Sequence, residues 1–210
     1  MFGGVNTRIK RFYCDKEGGL IDACKHFGIT YRIAQPGRPV TNSIAERANQ
    51  DVLQGARCLL EQAGLPKCFW PFAAPYYCLM ESLTYNNQGE SIYKKWTGRS
   101  FEAKIIPFGA LVKYIVPDTR KHEQPGKWGG KGTPGVFAGY ELGENGVWNG
   151  KYLIWNLSDF DGVNLAKDVY AGTLKVQKPN RMSTVTFNPD EFTFPLRAEY
   201  VRKKIGRAHV

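Results

Sequence analysis

The sequence is short of the residues that build metal clusters and disulfide frameworks. It has three histidines, His26, His122 and His209, too scattered to form a ligand pair. Its five cysteines, Cys14, Cys24, Cys58, Cys68 and Cys78, are odd in number and contain no Cys-x-x-Cys. That excludes a zinc knuckle and argues against a disulfide scaffold; their apolar neighbours predict buried free thiols in a reducing compartment. No apolar run approaches the ~18 residues of a membrane span, and MFGGVNTRIK lacks the apolar stretch of a secretion signal. A membrane is therefore not among the expected partners. Acids are scarce too: 19 against 29 lysines and arginines, for a net charge of +10. Such an excess points to a polyanion, most often nucleic acid. What is plentiful is core material: 42% hydrophobic and 13% aromatic residues in a chain of 210 exclude wholesale disorder. That length suits one large domain or two small ones.

Residues 8–14, RIKRFYC, read as a strand ending at Asp15. After Gly18-Gly19, LIDACKHF reads as a short helix stopped by Gly28, and ITYRIA as the next strand, broken by Pro36, Gly37 and Pro39. Ile44, Ala48, Val52, Ala56, Leu59, Leu60 and Ala63 then fall at helical spacing, closed by Gly64 and Pro66. CFWPFAAPYYCLMESL predicts a second apolar helix disturbed by Pro71 and Pro75. Trp70, Phe72, Tyr76 and Tyr77 in it are expected to pack. From about residue 104 the pattern changes. IIPFGALVKYIV, GVFAGYEL, KYLIWNL and AKDVYAG read as strands of a small barrel, with Trp148 and Trp155 in its core or at its rim. Beyond residue 176 the pattern weakens into a basic end with Arg197, Arg202, Lys203, Lys204 and Arg207, a weak phosphate-binding patch or a solvated tail.

Asp15 at a strand end and Glu46 at a helix start can meet at one edge of an α/β sheet. Two converging carboxylates there would hold a hard divalent ion such as Mg²⁺ or Mn²⁺, and a pair of such ions can drive displacement at phosphorus. The alternative is structural: Ser43-Ile-Ala-Glu46 also fits a capping box, with no catalytic meaning. Arg32, Arg38, Arg47 and Arg57 flank this position and would hold DNA phosphates, or form a solvated helix face. In the Gly- and Lys-rich loop, Arg120, Lys121, Lys127 and Lys131 surround Trp128, a candidate strand contact or a solvated loop. It is no phosphate-binding loop, because position 125 is proline.

Seven stretches in order, IKRFYCD, FGITYRIAQPGRPVTNSIAERANQ, LLEQAGLPKCFWPFAA, YKKWTGRS, PFGALVKYIVP, GVFAGY and AKDVY, resemble the integrase region of copia-type LTR retrotransposons. Asn42, Glu46, Arg47 and Asn49 match that family's Asn-x-x-x-Glu-Arg-x-Asn motif. The resemblance implies an α/β plus β chain: an incomplete RNase H-like core over residues 1–103, an SH3-like β-barrel over 104–175 and a basic tail over 176–210. It also implies Mg-dependent polynucleotidyl transfer in DNA integration inside the nucleus. The partners would be host and element DNA and further copies of the chain. Asp15 and Glu46 would be the second and third acids of a D-D-E site, and Asn49 and Arg47 DNA contacts. The first acid is expected on an earlier strand, yet no Asp or Glu precedes Asp15. Asp15 is moreover followed by Lys-Glu-Gly-Gly rather than closely by glycine. Two carboxylates without the third do not readily seat a metal pair, so catalysis by this chain alone is not expected. The rival readings are a non-catalytic nucleic-acid binder and a protein-interaction module built on the SH3-like part.

Overall fold

The computed structural model describes residues 12–14, 16–33, 43–85, 89–115, 132–165 and 178–205. It divides into two compact units, residues 1–53 and 54–210.

The first unit is a βαβ turn. Strands β1 (Phe12–Cys14) and β2 (Tyr31–Ile33) pair in parallel, Cys14 opposite Ile33, with helix α1 (Gly18–His26) as the crossover. Lys25 and His26 lie in the last turn of α1, where cations suit the helix dipole. The stop is a Schellman motif. Ile29 N–H bonds to Cys24 O and Gly28 N–H to Lys25 O, and Gly28 supplies the positive φ of 62° that this turn requires. Cys14 and Cys24 are buried here, as free thiols.

Helix α2 (Ser43–Ala63) runs through the division between the units. Its stripe of apolar residues is only half used. Ala56, Leu60 and Ala63 are buried, while Ile44 is 87% and Leu53 53% exposed. A second Schellman motif ends it: Leu65 N–H bonds to Leu60 O and Gly64 N–H to Glu61 O, with Gly64 at φ 73°.

In the second unit a 3₁₀ turn, Lys67–Phe69, leads into α3 (Trp70–Leu83). Pro71 costs α3 nothing in a first turn that lacks N–H acceptors. Pro75 removes one bond, and burial of Ala73, Tyr76 and Leu79 holds the helix through it. Short helix α4 (Ile92–Thr97) follows. The sheet is antiparallel throughout, in the order β6-β5-β4-β3-β7. Its strands are β3 (Leu111–Tyr114), β4 (Thr133–Leu142), β5 (Trp148–Asn156), β6 (Asn180–Met182) and β7 (Val185–Thr186). Helix α5 (Arg197–Ile205) closes the described chain. The edges β6 and β7 are joined by two residues. Laid flat, five strands set these edges about 19 Å apart, whereas Met182 to Val185 can span at most about 11 Å. The sheet therefore curls into a half-barrel, with register shifts at Phe137/Gly139 and Tyr140/Leu142 in β4.

Helices α3 and α4 share one core with this sheet, so the boundary expected near residue 104 runs between elements that pack together. Phe69, Phe72, Phe108 and Phe160 surround the Trp155 ring. The tail expected beyond residue 176 instead supplies both edge strands and α5, whose Tyr200 is buried. Of the expected barrel strands, AKDVY and the Lys-rich loop with Trp128 lie outside the described residues. The expected strand at 105–116 is extended β structure only from Leu111. Pro107 has no N–H to give a ladder, and Gly109 turns at φ 81°. The thiols also depart from expectation, Cys58 and Cys78 being exposed and Cys68 half-buried.

Residues 101–110 form an irregular strap fixed by tyrosines. Tyr140 OH donates to Lys104 O (2.7 Å) and accepts from Ile106 N–H (2.9 Å). Tyr76 OH donates to Ile106 O (2.9 Å), and Tyr152 OH accepts from Lys104 N–H (3.3 Å). Burial pushes the Tyr76 hydroxyl up to about 12 and raises Tyr140 further. Since the folded state holds these phenols protonated, their stabilisation is complete below pH ~10 and lost as pH rises toward the folded values. Unfolding free energies from urea titrations at pH 8 to 12 should be flat up to ~10 and then fall, by about 1.4 kcal/mol per pH unit for Tyr76 alone.

Candidate acid site and nucleic-acid interface

Glu46 lies in the first turn of α2, where a carboxylate is favoured by the helix N-terminus. The helix begins at Ser43 itself. Glu46, Arg47 and Asn49 are all exposed. At ~100° per residue, Glu46, Asn49 and Leu53 fall along one side of α2. Arg57, in the second unit, is exposed as well. Arg47 points elsewhere. It lines a shallow hollow of about 230 Å³ with Ser43, Ile44, Ala48 and Asp51. That hollow does not include Glu46, and Asp51 stands four residues from Arg47, the spacing of a helical charge pair. Arg32 is exposed on β2, opposite Tyr13 of β1.

Asp15, Arg38 and Asn42 lie outside the described residues. Among the described residues no group of three or more His, Cys, Asp or Glu side chains could hold a metal ion. Glu46 is there a single exposed carboxylate. One monodentate or bidentate oxygen pair does not fill the coordination of a hard divalent ion. The pairing of Asp15 with Glu46 is thus a proposal resting on sequence.

The basic end is partly engaged. Lys203 pairs with Glu199 and Lys204 with Glu61 of α2, while Tyr200 OH lies 3.4 Å from the same Glu61 carboxylate. Lys203 holds the Glu199 carboxyl below its usual range. Of the three RKK cations, Lys204 thus helps dock α5 on α2, while Lys203 is engaged within α5 itself. A second group of cations, overlooked in the sequence, is exposed around α4: Lys94, Lys95 and Arg99, beside Trp96 at 72% exposure. Its signal is the i, i+4 pair Ile92 and Trp96, whose outward face a six-residue helix hides from periodicity.

The chain is 29% identical over 203 residues to the retrovirus-related Pol polyprotein from transposon RE1 of Arabidopsis thaliana, 91% of this chain and 14% of that protein. It is 29% identical over 160 residues to that from transposon TNT 1-94 of Nicotiana tabacum, 72% of this chain and 11% of the relative. With that from transposon RE2 of Arabidopsis thaliana the identity is 28% over 144 residues, 65% and 10% of the two chains. Its homologues are retrovirus-related Pol polyproteins of plant transposons. The chain spans no more than 14% of the length of any of these Pol relatives. No family model and no solved structure matches it. No helix among the described residues is long and apolar enough to cross a membrane.

Proposed function

We propose that this chain is the integrase-derived segment of a retrotransposon Pol polyprotein, acting on DNA and ancestrally serving DNA integration in the nucleus. The observation that carries the reading is similarity to Pol polyproteins across 91% of the chain, together with Asn-x-x-x-Glu-Arg-x-Asn at residues 42–49, whose Glu46 stands exposed in the first turn of a helix after a βαβ unit. On this reading residues 1–103 descend from an RNase H-like core. The curled sheet that begins at β3 is the SH3-like part, extended by β6 and β7. Asp15 and Glu46 are the two carboxylates toward Mg²⁺ or Mn²⁺, which would supply activation of the attacking oxygen and charge neutralisation at phosphorus. The first acid of the site comes from another segment. Arg32, Arg38, Arg47, Asn49 and Arg57 contact the DNA backbone of target and element ends, with further copies of the chain as partners. Alone, the chain binds rather than cuts.

A protein-interaction module has less support. The sheet aromatics Tyr140, Tyr152 and Trp155 are buried within the unit, against α3 and the strap, rather than lining an open groove for an extended peptide.

The test is DNA binding by the full chain across a salt series. Binding without metal is expected, with log affinity falling by about 3 to 4 per decade of salt if four or so phosphates are neutralised. Arg47→Gln and Arg57→Gln should each flatten that slope by about 0.9 on duplex. Absence of binding at both low and moderate salt would sink the reading. Magnesium-dependent strand transfer by the chain alone, abolished by Glu46→Gln, would overturn the claim that it binds without cutting.

A further inference from the structure

We propose that the outward face of α4, Ile92 and Trp96 flanked by Lys94, Lys95 and Arg99, is a stacking platform for single-stranded nucleic acid. This rests on the nucleic-acid reading above and specifies the form of strand and the place of contact. Helix α4 has six residues but is locked at both ends. The Ser91 side chain accepts from Lys94 N–H at the start, and Gly98 closes the end at φ 70°, its N–H bonded to Lys94 O (2.8 Å). Its inner face is anchored by Tyr93, 5% exposed, whose hydroxyl accepts from Trp148 N–H (3.0 Å) and whose ring meets Phe101 edge-on.

Ile92 and Trp96, four residues apart, lie close together on one side of α4. They are 56% and 72% exposed. Lys94, Lys95 and Arg99, their neighbours in sequence, are exposed as well, and among the described residues none of the three is in an ion pair. An exposed indole on a helix capped at both ends, with three exposed cations within three residues of it in sequence, is complementary to a polyanion that carries unstacked flat rings. Bases in a duplex are already stacked on one another, whereas those of a single strand can lie on the indole while its phosphates meet the cations. A protein partner would have to be acidic and to bring its own apolar cover; the charge of the whole chain, +10, favours the strand.

The experiment is fluorescence anisotropy of the full chain with a labelled oligothymidylate and with a duplex of equal length, over a salt series. Trp96→Ala should weaken strand binding about tenfold or more with its salt slope unchanged, and Trp96→Phe should retain most of the affinity. Lys94→Gln, Lys95→Gln and Arg99→Gln together should flatten the slope by about 2. Because Trp96 is exposed, the variant should melt with the wild type, which separates a lost contact from a lost fold. If the wild type binds the strand and Trp96→Ala binds it equally well, this proposal falls and the nucleic-acid reading stands. An equal loss on strand and duplex also overturns it. If the wild type binds neither, both fall.

Discussion

Trp155→Ala is expected to cost the second unit about 4 kcal/mol, in the middle of the range for core aromatic truncations. The indole sits on β5 at 1% exposure. Phe69 and Phe72 meet it edge-on at 5.1 and 5.0 Å between centroids, and Phe108 and Phe160 do so at 6.3 and 6.2 Å. Those rings arrive from the 3₁₀ turn before α3, from α3 itself, from the strap and from the turn after β5. One residue therefore joins helix layer, strap and sheet, and alanine leaves a cavity that none of the four can fill without abandoning its own contacts. Urea unfolding followed by far-UV circular dichroism should show a large fall in midpoint at unchanged slope. Trp70→Ala is the matched control. That ring is 60% exposed on α3, and its loss should stay within about 0.5 kcal/mol. Equal effects of the two substitutions would mean that the layer of helices does not rest on the sheet as described.

The contrast between these two tryptophans marks what could be read in the sequence. Periodicity identified α1, α2, α3 and the strands β1, β2, β4 and β5, because each carries an apolar repeat long enough to count. It did not identify α4, β6, β7 or α5. A strand of two residues has no period, and α5 is mostly charged, held by Tyr200 and by pairing with Glu61. Ile105, Ile106 and Phe108 are strand-like residues, so the sequence predicts a strand where the strap runs. Pro107 and Gly109 override them, and Ala63 lies so close that a Cβ on Gly109 would stand 2.2 Å from its methyl. Periodicity also overstated burial. Ile44 fits the apolar stripe of α2 that buries Ala56, Leu60 and Ala63, yet is almost fully exposed. Of the acid site, the helix-start position of Glu46 was legible from its motif. The mounting of Trp96 was not, since it depends on Tyr93 reaching Trp148, a contact between residues 55 positions apart.

Tyr140→Phe should cost about 3 kcal/mol through one oxygen atom, since each buried polar group left unpaired costs ~1–3 kcal/mol. That hydroxyl both donates to Lys104 O and accepts from Ile106 N–H, so phenylalanine strands two backbone groups of the strap at once. Tyr76→Phe strands one, Ile106 O, and is expected to cost about half as much. Neither change empties the core, because both rings keep their aromatic neighbours: Tyr140 packs on Phe101, Phe137 and Tyr152, and Tyr76 on Phe108. The ratio of the two losses in urea titrations at neutral pH is therefore a count of orphaned groups rather than a measure of packing. The alkaline limb gives an independent reading. Tyr140 is held protonated in the fold mainly by burial, so its phenylalanine variant has one fewer group to deprotonate and should lose less stability than the wild type above pH ~10. If instead Tyr140→Phe and Tyr76→Phe cost the same at neutral pH and the alkaline fall is unchanged in both, the strap is held by the side chains of Ile106 and Phe108 and not by the hydroxyls that reach it.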